Sequence, residues 1–398
     1  MKVNQWVEDH HPSPPPAAAP PPERVVLTQP LSLDGGLAAE HQSPNIVQRL
    51  ISLFKNVRPG TDLTHFQLPA LFNMPKSQLQ CYGEAVYCVA EDMLRRCNEG
   101  KTSLERFTSV VAWSISTTRP PIFGLAPFNP VLGETHHVSR GSLNVLLEQV
   151  SHHPPVAALH ATDAEEEVEL LWCQELSPRF SGTGIETQIH GKREVKLRSF
   201  GESYEMDAPS LVVKFLPVPS TEWGGNVSIL CKESGLEADL CYYRSHHFLG
   251  FGSSARAVKG KIFNSKTLMT IYEIYGRWDR KVMLKDVHSG KVTVLYDPNE
   301  SISGLKTPAV RDPHAVSATE SAVVWAEVNR AILSRDWDGA GRLKRAVEDR
   351  ARQLAAERDA AGVTWTPRFF HLELTKEGGW QCWPRHPAVP PAPIVVPS

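Results

Sequence analysis

Short runs of β-branched and aromatic residues recur between residues 122 and 300, parted by Gly, Pro, Asn, Asp and Ser. They fall at 143–150, 168–174, 184–189, 194–197, 211–215, 226–231, 238–243, 259–263, 268–275, 282–286 and 291–296. Ser289-Gly290 reads as a hairpin turn, after which Val292, Val294 and Tyr296 alternate as on a strand with one buried face. Many short strands at close spacing, with few helices between them, predict a large antiparallel sheet or barrel and argue against a parallel α/β sheet.

Helical periodicity flanks this stretch on both sides. Ser43-Pro44 reads as an N-cap followed by a proline at the first helical position, and Ile46, Leu50, Leu53, Phe54 and Val57 follow at helical spacing until Pro59-Gly60. Such a short amphipathic helix fits a plain core helix, a lid or a membrane-surface helix; with only Arg49, Lys55 and Arg58 basic, it makes a weak independent anchor. A second helix is expected over 75–97, with Leu79, Tyr82, Val86, Val89, Met93 and Cys97 on one stripe. A third starts at the capping box Thr102-x-x-Glu105 and stops at Pro120-Pro121. Beyond the strands, Ser317-x-x-Glu320 reads as another capping box, Val324, Val328 and Ile332 mark a stripe, and a charged helix is expected over 338–361.

Composition narrows the classes. Hydrophobic residues make up 41% of the 398, enough for a sizeable core, and 42 basic against 44 acidic residues give no bulk charge to attract nucleic acid. No apolar run reaches the roughly 18 residues of a membrane span, and the first residues fit neither a secretory signal nor a lipidation motif, so any membrane contact is expected to be peripheral and transient. Seven scattered cysteines without a C-x-x-C suggest reduced thiols and a cytosolic, cytoplasmic location. Eight of the 32 prolines lie in the first 30 residues and six follow from Pro384 on, so 1–42 and 376–398 read as Pro-rich tails without fixed structure. The folded part is then 43–375: helices over 43–118, a β body over 119–315 and a helical end over 316–375.

Two segments carry candidate chemistry: Phe128-Asn129-Pro130-Val131-Leu132-Gly133-Glu134-Thr135, and Glu148-Gln149-Val150-Ser151-His152-His153-Pro154-Pro155. Neighbours on a regular strand point to opposite faces, but His153 precedes a proline and is held extended, so an irregular backbone there can bring both imidazoles to one rim. Two histidines so placed suit an anion, the more so when protonated. His-His pairs also occur at 10–11, 136–137 and 246–247, and a pair by itself signifies little. Glu134 beside Thr135-His136 admits a remote alternative, a metal-dependent hydrolase. The chain has no H-E-x-x-H, no G-x-S-x-G and no Gly-rich phosphate loop, so no enzyme, metal or cofactor is expected.

The block from Glu148 to Pro155 resembles the signature of the oxysterol-binding-protein-related family, and Asn129-Pro130-x-Leu132-Gly133-Glu134 resembles its companion motif. The segment order over 43–375 also fits, through Gly276-Arg277-Trp278 to Trp365-x-Pro367-Arg368-Phe369-Phe370. The likeness is to short, plant-type members with the lipid-binding domain alone. It implies an α+β fold: a large incomplete antiparallel β-barrel enclosing a lipid tunnel, an N-terminal helical lid and a C-terminal helical subdomain. It further implies binding and non-vesicular transfer of one lipid at a time, a sterol, phosphatidylserine or another glycerophospholipid, or a phosphoinositide such as phosphatidylinositol 4-phosphate. The alternative within the same class is a lipid sensor or scaffold at membrane contacts.

Site residues follow from the same resemblance. Lys344, Glu348 and Arg352 fall on one helical face at i, i+4, i+8, a pattern common on solvated helices. The family places such a ladder at a phosphoinositide headgroup, joined here by Asn129, His152 and His153. Ile46, Leu50, Leu53 and Phe54 become the lid. One departure stands out: Ala126 occupies the place, before Pro127, where the family usually has a basic residue, with Arg119 as a candidate substitute.

Overall fold

The computed structural model describes residues 24–397, apart from 34, 88–92, 164, 166, 245–255, 303, 376–377 and the side chains of 37 and 38. Among these residues sixteen strands form one sheet. From the edge strand Val292–Tyr296 it runs through antiparallel neighbours to Ser220–Cys231, then Ser210–Lys214, Gly184–His190 and Val168–Phe180, and on through Val156–Thr162 and Leu143–Ser151 to Thr135–Arg140. All eleven strand runs expected from the pattern are strands, Ser289-Gly290 turns the last hairpin, and the α+β architecture stands.

Two long strands shape the interior. The first half of Val168–Phe180 pairs with Arg193–Leu197 and its second half with Gly184–His190. Opposite, Ser220–Cys231 pairs with Ser210–Lys214 at one end and Glu202–Met206 at the other. Two tiers of short strands thus close the wall between them. Period-two alternation turns Trp172, Gln174, Leu176 and Pro178 inward on one long strand and Thr221 and Trp223 on the other, around a cavity of about 400 Å3.

The pattern missed Thr135–Arg140, Val156–Thr162 and Glu202–Met206. The first and third are polar, and the second, Val-Ala-Ala-Leu-His-Ala-Thr, is rich in alanine; all three are strands because the sheet on either side supplies their hydrogen bonds.

Several helix boundaries also move. The first amphipathic helix is Ile46–Phe54, capped by Asn45 in the left-handed region (φ 57°) without a side-chain bond, so Ser43-Pro44 is not its cap. Ser43 is buried, and the Pro44 carbonyl accepts from Arg49 Nε. Pro75 sits in the strand Asn73–Ser77, so the second helix starts at Gln78; it is described over Gln78–Tyr87 and Met93–Glu99, with 88–92 outside the described residues. Thr102 and Glu105 do form the capping box of Ser103–Ser116. Ser317 and Glu320 do not: the Glu320 carboxylate bonds His136 and the His137 amide instead. The charged helix is Trp337–Ala360.

The tail boundaries need correction as well. The segment that begins at residue 24 packs on the body: Val26 N donates to Ala322 O, Leu31 N to Glu84 Oε2, and Thr28 and Leu31 are buried. Residues 1–23 lie outside the described residues. At the other end Phe370–Leu374 and Trp380–Pro384 form a hairpin, and Ile394–Val395 pairs in parallel with Thr135–Arg140. Proline has no amide to donate, but Ala392 and Val396 do, to Ser139, while Val389, Ala392 and Ile394 are buried. A proline count averages over these apolar residues and hides them.

Candidate functional site

The strand Leu143–Ser151 loses its regular register between Gln149 and Ser151, and the chain turns through residues 152–155 into Val156–Thr162. His153-Pro154 is a cis peptide. The turn brings both imidazoles together, ring centroids 4.5 Å apart. His152 Nδ1 lies 3.0 Å from Pro130 O; a carbonyl only accepts, so Nδ1 carries the hydrogen and Nε2 is left for another partner. That bond joins the two sequence segments. Pro155 and Asn129 both line the cavity, which places this turn at its mouth. Burial, followed by the neighbouring His153, holds the His152 imidazole below its usual value, and burial and then His65 do the same for His153.

The acidic residues of the two segments face the other way. Glu134 is fully buried and accepts four hydrogen bonds, from Val131 N, Ser77 Oγ, Ser321 Oγ and Trp325 Nε1. Burial raises its carboxyl above the usual range against the pull of those donors. Glu148, also buried, accepts from Arg368 N and Phe369 N at 2.7 and 2.9 Å, fastening the Trp365–Phe370 segment. Gly133 (φ 79°) lies so close to Trp365 that an added Cβ would stand 2.6 Å from the ring. His136 is held between Tyr87 Oη at 2.8 Å and Glu320 Oε1 at 2.6 Å. Glu134 and His136, two of the residues behind the metal-hydrolase alternative, are therefore engaged in holding the fold. Among the described residues no three of His, Cys, Asp or Glu are grouped to bind a metal ion.

Lys344, Glu348 and Arg352 lie on one face of Trp337–Ala360 but in different settings. Lys344 is buried; its ammonium donates to Leu68 O and to Asn73 Oδ1 (2.9 Å), with Glu348 Oε1 at 3.6 Å, and burial lowers its pKa. Arg352 is half exposed, bonds Asp349 Oδ1 at 2.5 Å, and its charge reaches His152. Asn73 Nδ2 in turn donates to Ala126 O at 3.1 Å, so the Lys344 ammonium stands one side chain away from position 126. Arg119 is placed elsewhere: it lines the inner wall, donates to Glu84 O, and its carbonyl accepts from Trp223 Nε1.

Ile46, Leu50 and Phe54 turn inward from the first amphipathic helix, and Leu53 packs beside them. Phe54 stacks on Phe66 and Phe180 at 5.1 and 5.3 Å and meets Phe215 at 5.4 Å. Gly124 (φ 75°) seats the helix, since a Cβ there would come within 2.6 Å of Ile46. The following segment is sewn to the barrel rim through Gly60 N to Phe180 O, Phe180 N to Thr61 O and Leu63 N to Pro178 O. Phe54, Leu63 and Phe66 form the roof of the cavity. Spacing predicted this apolar face; it gave no sign of the inner wall, where Tyr82 Oη, Trp172 Nε1, Gln174 Nε2 and Thr221 Oγ1 are buried without a hydrogen-bond partner among the described residues.

The chain matches the family model described as oxysterol-binding protein over residues 49–386. It belongs to that family. It is 46% identical to oxysterol-binding protein-related protein 4B of Arabidopsis thaliana, over 94% of this chain and 98% of that one. Its fold superposes on a crystal structure of the Osh1 ORD domain with cholesterol (TM-score 0.73, 23% identity, 90% of each chain). It also superposes on the Osh3 ORD of Saccharomyces cerevisiae with PI(4)P (TM-score 0.64, 21% identity, 90% of this chain and 92% of that one). The family comprises lipid-binding proteins and not enzymes. No helix among the described residues is long and apolar enough to cross a membrane.

Proposed function

We propose that this oxysterol-binding-protein-related chain carries one lipid at a time between membranes, with the hydrocarbon in the roofed cavity and the headgroup at the histidine rim. The carrying observation is the roof itself: an apolar helix stacked over a cavity of about 400 Å3 in the barrel, which a protein that only held its own core together would fill with side chains. Each 100 Å2 or so of hydrocarbon taken from water contributes about 2.5 kcal/mol, and the roof keeps water from returning.

Asn129, His152, His153, Lys344, Glu348 and Arg352 form the headgroup site in this reading, and Ile46, Leu50, Leu53 and Phe54 the lid. Similarity to a domain crystallised with cholesterol and to one crystallised with PI(4)P supports a sterol and a phosphoinositide as the first lipids to try, with phosphatidylserine as the third. Native mass spectrometry of the purified protein should show one co-purified lipid per chain. Transfer between donor and acceptor liposomes should follow; binding without transfer would make the protein a sensor, and no binding would end the proposal.

A further inference from the structure

His65 lies in the segment that fastens the lid to the barrel, and its ring centroid is 4.3 Å from that of His153. With His153 and His152 4.5 Å apart, three imidazoles run in a row from the lid segment to the His152 ring anchored on Pro130 O. His65 is exposed, while its chain neighbours are fixed. Asp62 Oδ1 accepts from Thr64 N and Thr64 Oγ1, Leu63 N bonds Pro178 O, and Phe66 stacks on Phe54. Charges of both signs face the row, the Asp62 carboxylate acting on His65 itself. Arg352 of the last long helix acts on His152, and Arg179 of the Val168–Phe180 strand acts on Asp62, whose carboxylate is already taken up by Thr64.

We propose that His65 is a third imidazole of the headgroup site, donating to a lipid's phosphate monoester together with His152 and His153, so that the phosphate itself pins the lid shut. Three adjacent imidazoles repel one another when protonated, and a phosphate monoester, which carries close to two negative charges, removes that repulsion. Position 126 bears an alanine and supplies no cation to the same phosphate. A lipid without the monoester would be roofed by apolar contacts alone and would leave sooner. This rests on the lipid-carrier reading, and the variants below separate the two.

The full-length protein is tested with liposomes containing phosphatidylinositol 4-phosphate, phosphatidylinositol or cholesterol, measuring extraction at equilibrium and release of a fluorescent analogue. His65→Ala should weaken extraction of the 4-phosphate about tenfold, the scale of one hydrogen bond to a charged group, and speed its release. Extraction of phosphatidylinositol and cholesterol should be unchanged, and His65→Lys should restore the 4-phosphate. The proposal falls if His65→Ala extracts the 4-phosphate as wild type does while His152→Ala/His153→Ala does not; the headgroup reading then stands without His65. It falls equally if His65→Ala weakens all three lipids alike, which would make the residue a lid-packing element. If both variants extract the 4-phosphate normally, the headgroup reading falls as well. Inorganic phosphate competing at the same concentration as the lipid would overturn the coupling to the lid, because a free anion needs no lid.

Discussion

Within residues 148–155 the chain passes from a buried strand to the mouth of the cavity, and its two ends have opposite surroundings. Glu148 is buried and saturated by the Arg368 and Phe369 amides. Four residues on, His152 is half-buried, His153 is exposed, and His152 bonds Pro130 O through Nδ1, leaving Nε2 on the other side of the ring. The companion segment divides the same way: Asn129 lines the cavity, and Glu134 is closed in by four donors. Each motif therefore combines a structural carboxylate with a group left open to a ligand. Sequence signatures of this kind record the joint between core and site, and the two kinds of position should fail differently when changed.

The largest effect expected is on the structural side. Glu134→Ala leaves Val131 N, Ser77, Ser321 and Trp325 without their acceptor in a dry interior, and should destabilise the fold by about 3–5 kcal/mol. Denaturant unfolding reads this directly; a loss below about 1 kcal/mol would mean that water replaces the carboxylate and that the contrast with the histidines is weaker than drawn.

On the open side the expectation is reversed. Replacing His152 and His153 together by Ala should lower phosphoinositide extraction by about a hundredfold, or about 2.7 kcal/mol, with little change in unfolding midpoint. Lys344 lies between the two classes. Its ammonium holds Leu68 O and Asn73 Oδ1, which ties the segment 68–73 to the last long helix. Lys344→Ala should therefore cost about 1–2 kcal/mol in stability as well as weaken extraction, whereas Arg352→Ala, at a half-exposed side chain, should affect extraction alone. Arg345→Ala serves as the control for general electrostatics. Equal stability losses at 344 and 352 would dissolve the distinction.

Strand existence was legible because short apolar runs between 143 and 296 are parted by turn residues; burial did not follow from the pattern, since Leu143–Ser151 is buried on both faces while Val292 and Val294, expected on a buried face, are exposed on the edge strand. Thr135–Arg140 was not legible, since its sequence Thr-His-His-Val-Ser-Arg has one aliphatic residue and its place depends on partners at 143–148 and 394–395. The apolar face of Ile46–Phe54 could be read from spacing, but its cap could not: Asn45 adopts a left-handed backbone that Ser43-Pro44 does not announce. For the ladder on the last long helix, i, i+4 spacing gave one face and nothing more. That Lys344 is buried against Leu68 while Arg352 is half exposed depends on the segment 68–73 crossing the helix. His65 gave no signal, being a single histidine in a loop whose neighbour His153 is far along the chain.

The smallest predicted effect concerns protons at the mouth. Burial and neighbouring positive charge hold His152 below the ordinary imidazole value of 6.5, and His153, being exposed, is affected by the same causes with less weight on stability. With the folded pKa lowered, the unfolded chain binds more protons than the folded one just below pH 6.5, so stability rises with pH there. The contribution is complete above that value and is lost as pH falls through the window beneath it. His137, lowered by burial beside Pro390 O, adds a slope of the same sign. Comparing wild type with His152→Asn/His153→Asn removes that background: the difference in unfolding midpoint between pH 7.5 and 5.5 should shrink in the variant. A bound phosphate monoester should reverse the sign for the wild type alone, because it favours the charged imidazoles that the empty mouth disfavours. If wild type and variant keep the same pH slope with and without the lipid, the open ends of the two motifs are no more responsive to charge than their closed ends, and the division between core and site would have to be drawn elsewhere.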